Sequence, residues 1–304
     1  MKSVKRKTFI SFLLLMVIFS IILLLIPSTE RAVRANNIVD PILNSVVNGF
    51  ADSIDANPKM PKPRMQLGMT YEGSGLYELA ERTYSQYIEL FPEKVIGWYR
   101  HAVVCNRLGQ IDKAIASLES AVKIAKSEMD SPHWQLSFWY IDIGEIEKAK
   151  QQIDIAATKK PNTVQVLIAR ARIALEEEDY QQAVTHLTSP QLNYSLSSGY
   201  VNQLLGRAYL GLGEKIKAEE AWAKATMGKT NWADPWTKVV MEHAVGLNVM
   251  RQKIAHLLKS NQFIDARKLI NEYFVYDRSN RVVRRLDASC DAREGNPALA
   301  IKKF

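Results

Sequence analysis

Two hydrophobic patterns divide the chain. Residues 10–26 are apolar except for Ser11 and Ser20, and four basic residues precede them. From residue 61 onward, apolar residues recur at helical spacing, and the whole pattern repeats with a period of about 34 residues. The periodic part predicts repeated pairs of antiparallel helices, and the continuous part predicts a membrane or targeting segment.

The spacing within one period resembles that of the tetratricopeptide repeat. The first period carries, in the order of that family, Leu67, Gly68, Tyr71, Ala80, Tyr84 and Pro92. The fifth period carries Leu205, Gly206, Tyr209, Ala218, Trp222 and Ala225. Small residues at these places let two helices approach closely, and Gly109, Gly144 and Gly213 are predicted to end the first helix of a pair.

The resemblance implies an all-α fold, a right-handed α-solenoid of about six to seven helical hairpins, preceded by an N-terminal transmembrane or signal helix. The predicted parts are a cytoplasmic basic N-terminus (1–8), the membrane anchor or signal segment (9–27), a linker with an N-terminal capping helix that starts at Asp40-Pro41 (28–60), and the solenoid (61–304). Its repeats lie near 61–94, 95–128, 130–163, 164–197, 199–232, 247–280 and 281–304, the last incomplete. In the fourth repeat, Ser189-Pro190 is predicted to cut the second helix short. An insertion at 231–236 leads into one long amphipathic stretch over 237–260.

The N-terminal segment decides on which side of a membrane the repeats are expected. A helix over residues 10–26 rises about 26 Å, close to the hydrocarbon thickness of a bilayer, which favours an uncleaved anchor. Pro27 and the small residues around Arg34 leave a cleaved signal as the alternative. More positive charges precede the run than follow it, so the repeats are expected outside the cytoplasm. They are then periplasmic on a membrane anchor, or secreted if the signal is cleaved.

The formal net charge of +8 does not indicate nucleic-acid binding. Residues 1–35 hold six basic residues against one acidic residue, which accounts for +5 of that charge. The remaining 269 residues of the 304 are close to neutral, with Lys and Arg interleaved with Asp and Glu. Binding to a phosphate backbone needs a concentrated basic surface, so a protein or peptide partner is expected instead.

In the tetratricopeptide family, ligands contact the second, fifth, ninth and twelfth positions of a repeat. Carried over, these positions give as partner-binding residues Met65, Met69, Tyr99, Val103, Asn106, Trp134, Phe138, Ile141, Arg172, Gln203 and Arg207. The apolar part suits apolar anchors of a bound segment, and Arg172 and Arg207 suit a carboxylate. The alternative for Trp134 and Phe138 is packing beneath the N-terminal helix. The Lys and Asn pattern of chaperone-tail receptors is missing.

These features predict a non-catalytic adaptor that binds its partner on the concave surface of the solenoid. A narrower resemblance, to exported bacterial repeat proteins that accompany c-type cytochromes or other extracytoplasmic modules, rests on Leu67–Glu72, Leu205–Tyr209 and Trp232–Trp236. It implies the alternative function of an accessory docking subunit for a periplasmic redox complex. A third possibility, an enzyme with its site in residues 231–260, has no motif in its favour.

The remaining polar residues predict no cofactor, no metal site and no catalytic group. The five histidines lack a partner at metal-ligand spacing, Gly211–Lys215 reads as a turn, and no Cys-x-x-Cys-His motif occurs. Cys105 and Cys290 are expected to be small buried residues that do not meet. The incomplete last hairpin leaves an apolar face uncovered, which predicts either self-association through the C-terminal repeat or loss of a natural C-terminal extension.

Overall fold

The structure, a computed structural model, describes residues 30–35, 37–125, 129–158, 160–192, 198–225, 234 and 236–303. These residues form sixteen α-helices, one short 3-10 helix at Pro190–Leu192 and no strand, which confirms the predicted all-α class for the described part of the chain. The predicted segments 1–8 and 9–27 lie outside the described residues. None of the helices described is long and apolar enough to cross a membrane.

The helices follow the repeat register closely. In chain order they are α1 (Pro41–Ala56), α2 (Pro61–Gly73), α3 (Tyr77–Leu90), α4 (Val95–Arg107), α5 (Ile111–Ala125), α6 (Ser131–Asp142), α7 (Ile146–Ala157), α8 (Val164–Glu176), α9 (Tyr180–Leu187), α10 (Ser198–Gly211), α11 (Lys215–Ala223), α12 (Thr237–Glu242), α13 (Leu247–Lys259), α14 (Phe263–Tyr276), α15 (Arg281–Arg293) and α16 (Pro297–Lys303). The early end of α9 agrees with the Ser189-Pro190 break.

The hairpins form because small residues bring paired helices together. A Cβ atom on Gly68 of α2 would lie 2.5 Å from the ring of Tyr84 on α3, and one on Gly206 of α10 would clash with the indole of Trp222 on α11. The alanines at the matching places of other hairpins, Ala102 and Ala171, are fully buried. The large ring of one helix therefore fills the space that the small residue of its partner leaves.

The turns between paired helices use the left-handed backbone region. Gly109, Gly144 and Gly213 have φ of 74°, 80° and 77°, which confirms their predicted role. Glu178 and Asn261 take the same conformation after α8 and α13, with φ of 62° and 57°. The hairpin turn thus persists where glycine is missing, because the packing of the two helices fixes the path of the chain between them.

The chain divides into two compact units. The central unit runs from Pro92 to Val239 and holds the hairpins α4/α5, α6/α7, α8/α9 and α10/α11. Within it each hairpin packs on the next, and α8 lies against both α6 and α10. One buried apolar cluster runs through all four hairpins, from Tyr99 to Ala208.

The terminal unit combines the described residues up to Phe91 with those from Val240 onward. Helix α1 begins at Pro41, as its start signal predicts, and packs on α2. The hairpin α13/α14 is followed by α15/α16, and Ile42 of α1 packs against their buried cluster. Residues far apart in sequence therefore share one core, which corrects the expectation that every repeat contacts only its sequence neighbours.

Asp40 is central to this closure. One carboxylate oxygen accepts hydrogen bonds from the backbone N–H groups of Ile42 and Leu43, each at 3.1 Å, and the other accepts from the N–H of Leu247 at 2.5 Å. It thereby caps the N-termini of both α1 and α13. Gly246, with φ of 108°, leaves room for the carboxylate. The amphipathic stretch over 237–260 forms two helices, α12 and α13, which are separated by residues 243–246.

Residues 30–35 are held against α1 and α2. The hydroxyl of Tyr71 donates to the carbonyl oxygen of Val33 at 2.9 Å, and the Arg64 guanidinium donates to that of Glu30 at 2.9 Å. Arg34 pairs with Asp52 and Asp55, each at 2.7 Å. The segment that directly follows the N-terminal apolar run is therefore part of the terminal unit.

Gly68→Ala should lower the free energy of unfolding by about 1–3 kcal/mol, since the added methyl overpacks a site where Tyr84 is fully buried and donates to Glu72 at 2.9 Å. Gly49→Ala in α1 is the control, because a Cβ there meets nothing within 4 Å. Its higher helix propensity should stabilise by up to about 1 kcal/mol. Urea unfolding of both variants measures the difference, and equal changes would contradict the packing argument.

Asp40→Ala should cost about 2 kcal/mol, roughly twice the usual loss of an N-cap, because two helices lose their cap. Asn280→Ala is the matched control, since Asn280 caps only α15, accepting from Val282 and Val283. Hydrogen exchange should show lost protection in the first turns of both α1 and α13 for the Asp40 variant. Unchanged exchange in the first turn of α13 would rule out the shared cap.

Candidate partner-binding face

The first helices of the hairpins carry most of the predicted partner-binding residues. In the central unit these helices are α4, α6, α8 and α10, and their common surface is called the first-helix face below. Because α8 packs against both α6 and α10, the equivalent positions of successive repeats follow one another along this face. The central unit therefore offers one row of side chains in which each repeat contributes the same register positions.

Six of the predicted binding residues are buried. Their side chains are at most 8% exposed, and they are Met65, Met69, Tyr99, Trp134, Phe138 and Ile141. Met65 and Met69 belong to the terminal unit and the other four to the central unit. Trp134 and Phe138 pack edge to face, with ring centroids 5.9 Å apart. These rings form a layer beneath the surface, and a partner reaches them only where the side chains above them move.

The predicted arginines lie above this layer and are already paired. Arg172 of α8 pairs with Asp142 of α6 at 2.5 Å, and its guanidinium lies 5.6 Å from the ring centroid of Phe138. Arg207 of α10 pairs with Glu176 of α8 at 3.3 Å. In each pair the ninth position of one repeat binds the thirteenth of the repeat before it. A ladder of ion pairs therefore crosses the first-helix face.

The other predicted residues surround the ladder. Asn106 is exposed, while Val103 and Gln203 are half-buried. Tyr200, near the start of α10, is half-buried, and burial raises the pKa of its hydroxyl. The surface that a partner meets is thus polar, with paired charges, an amide and a phenol, and the aromatic character predicted for the first half of the wall lies below it.

Residues 234 and 236 cover part of this face from within the central unit. Arg100 of α4 pairs with Asp234 at 3.3 Å, and the two side chains are only 3% and 7% exposed. Trp236 lies beside Tyr99, with ring centroids 4.6 Å apart. Asp234 also accepts hydrogen bonds from the N–H groups of Trp236 and Thr237, each at 2.8 Å. A carboxylate and an indole from the insertion thus lie against Arg100 and Tyr99 of α4.

Some of the residues that sequence reasoning missed can be found from the repeat pattern. Asp142 and Glu176 stand at the same repeat position, 30 and 31 residues before the arginines they bind. Aligning the repeats therefore reveals the ladder. The contact between Arg100 and Asp234 spans 134 residues and has no such signal.

A buried Cys–His pair was also missed. On α4, Cys105 Sγ lies 3.6 Å from His101 Nε2, and His101 Nδ1 lies 2.8 Å from the hydroxyl oxygen of Ser117. The i,i+4 spacing places both side chains on one stripe of the helix. Both are buried, as predicted for Cys105, and neither Cys105 nor Cys290 forms a disulfide.

A cleft of about 320 Å³ lies between the second helices α7 and α9 and the adjoining side of α8. Arg170 pairs there with Asp154 at 3.3 Å, and Lys150 pairs with Glu147 and Glu177. Burial, together with the nearby Arg170, lowers the pKa of the His186 imidazole. The charges lining this cleft are compensated by one another, so they give it no preference for a ligand of either sign.

Comparison with known proteins finds a family match over part of the repeats. Residues 65–128 match the family model of a tetratricopeptide repeat, a range that holds most of the first two predicted repeats. The tetratricopeptide repeat and J domain-containing co-chaperone DNJ1 of Mycosarcoma maydis is 39% identical over 49 residues. That stretch is 16% of this chain and 8% of the co-chaperone, so the chain spans a small fraction of its relative's length.

Two solved structures are similar to much of this chain. The Cut9–Hcn1 hetero-tetramer of the APC/C matches with a TM-score of 0.51 and 17% identity, over 80% of this chain and 45% of that chain. A tetratricopeptide repeat protein from Parabacteroides merdae has a TM-score of 0.49 and 14% identity, over 82% and 97% of the two chains. At this identity the first likeness supports the arrangement of helical repeats and no finer property.

A double-mutant cycle measures how strongly the insertion is held on the first-helix face. Arg100→Gln combined with Asp234→Asn should give a coupling energy of about 1–3 kcal/mol, because the pair is buried, while Asn keeps the cap on α12. Arg207→Gln with Glu176→Gln is the control, an exposed pair whose coupling should stay below about 1 kcal/mol. Equal coupling energies in urea unfolding would show that residue 234 is not held through its charge.

Proposed function

With residues 65–128 matching the tetratricopeptide repeat family, we propose that the chain is a non-catalytic scaffold that binds a protein or peptide partner on the first-helix face. The observation that carries this proposal is the ladder formed by Asp142 with Arg172 and Glu176 with Arg207. Successive repeats present the same charged positions at a regular interval, which suits an extended segment with a matching series of polar groups.

The ladder favours a partner that carries both charges. Arg172 and Arg207 already have carboxylates beside them, so a partner carboxylate gains little unless Asp142 and Glu176 also find a donor. A segment that offers a carboxylate and a cation or amide in alternation satisfies both members of each pair. A partner with alternating charges refines the simpler prediction of a partner with a single carboxylate. The exchange of ion pairs contributes selectivity more than affinity, since exposed pairs contribute about 0–1 kcal/mol each.

The aromatic layer supplies a second source of affinity. Phe138 lies directly below Arg172 and packs against Trp134, and buried aromatic rings are the usual anchors of an interface. Displacement of the Arg172 guanidinium by a partner uncovers the ring of Phe138. The partner therefore first exchanges ion pairs and then places an apolar side chain on the ring.

The proposed location is a membrane surface outside the cytoplasm. It is supported by the apolar run of residues 10–26, by the basic residues before it, and by the attachment of residues 30–35 to α1 and α2. A scaffold held in this way meets partners that lie in or near the same membrane. Alkaline extraction of membranes checks the tether separately from partner binding.

The charge reversal Arg172→Glu with Arg207→Glu should reduce capture of the partner at least about tenfold, equal to a loss of about 1.4 kcal/mol. The full chain serves as bait on solubilised membranes of its own source, and captured proteins are quantified by mass spectrometry against wild type. The control is Arg170→Glu with Lys217→Glu, which makes the same change in charge at two other ion pairs. Capture that falls equally in both variants, or in neither, would rule out the first-helix face as the binding surface.

A charge swap distinguishes loss of partner binding from loss of folding. Asp142→Arg with Arg172→Asp rebuilds the ion pair with its direction reversed, so the hairpins should keep their stability. Partner capture should nevertheless fall, because the partner then meets the wrong charge at each position. A swapped variant that is stable and binds normally would show that the ladder only joins the repeats.

A further inference from the structure

We propose that the end of α14 and the hairpin α15/α16 form a binding surface for the phosphate groups of anionic lipids. The inference rests on the membrane tether of the proposed function and adds a second contact with the bilayer. It is carried by two adjoining basic clefts, by five exposed cations around them that form no ion pair within the described part of the chain, and by the position of residues 30–35 in the same unit.

The two clefts share a wall. The smaller, of about 200 Å³, is lined by Arg281, Arg284, Arg285 and Lys303. The larger, of about 350 Å³, is lined by Phe274, Arg278, Arg284, Asp287, Lys302 and Lys303. Arg284 and Lys303 line both. Guanidinium groups bind phosphate oxygens in a bidentate manner, and each cleft has room for a phosphate group among several donors.

The nearby carboxylates of Asp287 and Asp291 are already paired with Arg267 and with the cleft residue Lys303. Arg267 pairs with Asp287 at 2.7 Å and with Asp291 at 2.6 Å, and Lys303 pairs with the same two carboxylates at 2.8 and 2.6 Å. The cations that remain are exposed and form no ion pair with any carboxylate in the described part of the chain; they are Arg278, Arg281, Arg284, Arg285 and Lys302. This arrangement differs from the central unit, where the arginines of the first-helix face carry their own carboxylates.

Such a concentration of like charge is unfavourable without a counterion. Arg281, Arg284 and Arg285 lie within about one turn of α15, so their charges repel one another in the unbound protein. An anionic group bound between them removes this repulsion and adds charge-assisted hydrogen bonds. The clefts are therefore suited to ligands that carry concentrated negative charge.

Exposed apolar side chains next to the cleft residues in sequence favour a membrane as the source of that charge. Val275 at the end of α14 is 78% exposed, Ile301 of α16 is 75% exposed, and Val282 of α15 is 48% exposed. Val282 stands three residues before Arg285, on the same stripe of the helix. Basic side chains among exposed apolar ones match a bilayer interface, where cations meet phosphates and apolar groups enter the acyl boundary.

Chain length brings this unit to the membrane. The apolar run ends at Ile26, and Glu30 is already bound to Arg64 of α2 through its carbonyl oxygen. Four residues span at most about 14 Å, so a helix that crosses the bilayer places the terminal unit directly at the headgroups. The basic clefts belong to the same unit. The tether raises the local concentration of lipid phosphates around them far above that of a soluble anion.

The test uses the full chain carrying Val282→Cys with an environment-sensitive dye. The native Cys105 and Cys290 are fully buried, so labelling is confined to position 282. The protein is reconstituted into vesicles of phosphatidylcholine alone or with phosphatidylglycerol added. We expect a blue shift of the dye only in the anionic vesicles, reversed by high salt, since each cation near an anionic surface contributes about a fivefold gain.

Arg281→Glu with Arg284→Glu and Arg285→Glu should abolish the shift. The control reverses three exposed lysines of the same unit, Lys253, Lys259 and Lys268, so the net charge changes equally and the shift should remain. Loss of the shift in both variants would indicate a general effect of charge and overturn the proposal. An equal thermal melt of the two variants shows that the hairpin stays folded.

Three other outcomes also overturn the proposal. These are an identical signal in the two kinds of vesicle, a shift produced by inorganic phosphate over phosphatidylcholine vesicles, and a shift that follows protein concentration and so reports self-association through α16. Flotation of the protein with phosphatidylcholine vesicles reads the tether separately. Failure of the membrane anchor is thereby distinguished from failure of the basic surface.

Discussion

The close approach of paired helices is the constraint on which the rest of the structure depends. Gly68 and Gly206 leave space that the rings of Tyr84 and Trp222 fill, so each hairpin is a rigid pair with little freedom to slide. A rigid hairpin cannot bury its remaining apolar face alone and must pack on another hairpin. The central unit solves this by stacking in chain order, and the first helices then present equivalent positions along one face.

The fold was predictable where its determinants are local. The turn glycines at 109, 144 and 213, the break after Leu187 and the start of α1 are all set by residues a few positions apart, and the structure has them as predicted. The closure of the terminal unit was not predictable. The closure depends on contacts of Asp40 and Ser74 with residues 245–247, which lie 171 to 207 positions away. The spacing of the repeats does not indicate which distant residues form such contacts.

The candidate site could also be predicted from the sequence only in part. The repeat register indicates the direction of each side chain on a first helix, because the position within a helix fixes that direction. It does not give the depth of a residue below the surface. Tyr99 is buried by Trp236 and Phe138 lies under Arg172, and both covering groups come from other parts of the chain. Exposure is therefore a property of the assembled unit, whereas direction is a property of the repeat.

The two units differ in whether their exposed arginines are already paired with carboxylates. This difference distinguishes the proposed selective binding from the proposed non-selective binding. In the central unit each arginine of the ladder has a carboxylate within 3.3 Å, so a ligand must replace an existing interaction and gains only by a better match. On α15, the exposed arginines have no such competitor among the described residues, so any dense negative charge is stabilised there with little dependence on sequence. A scaffold that recognises a particular partner and also holds to a bilayer needs both kinds of surface. Because the two proposed surfaces lie on different hairpins, the lipid contact can persist while a partner binds to the first-helix face and dissociates from it.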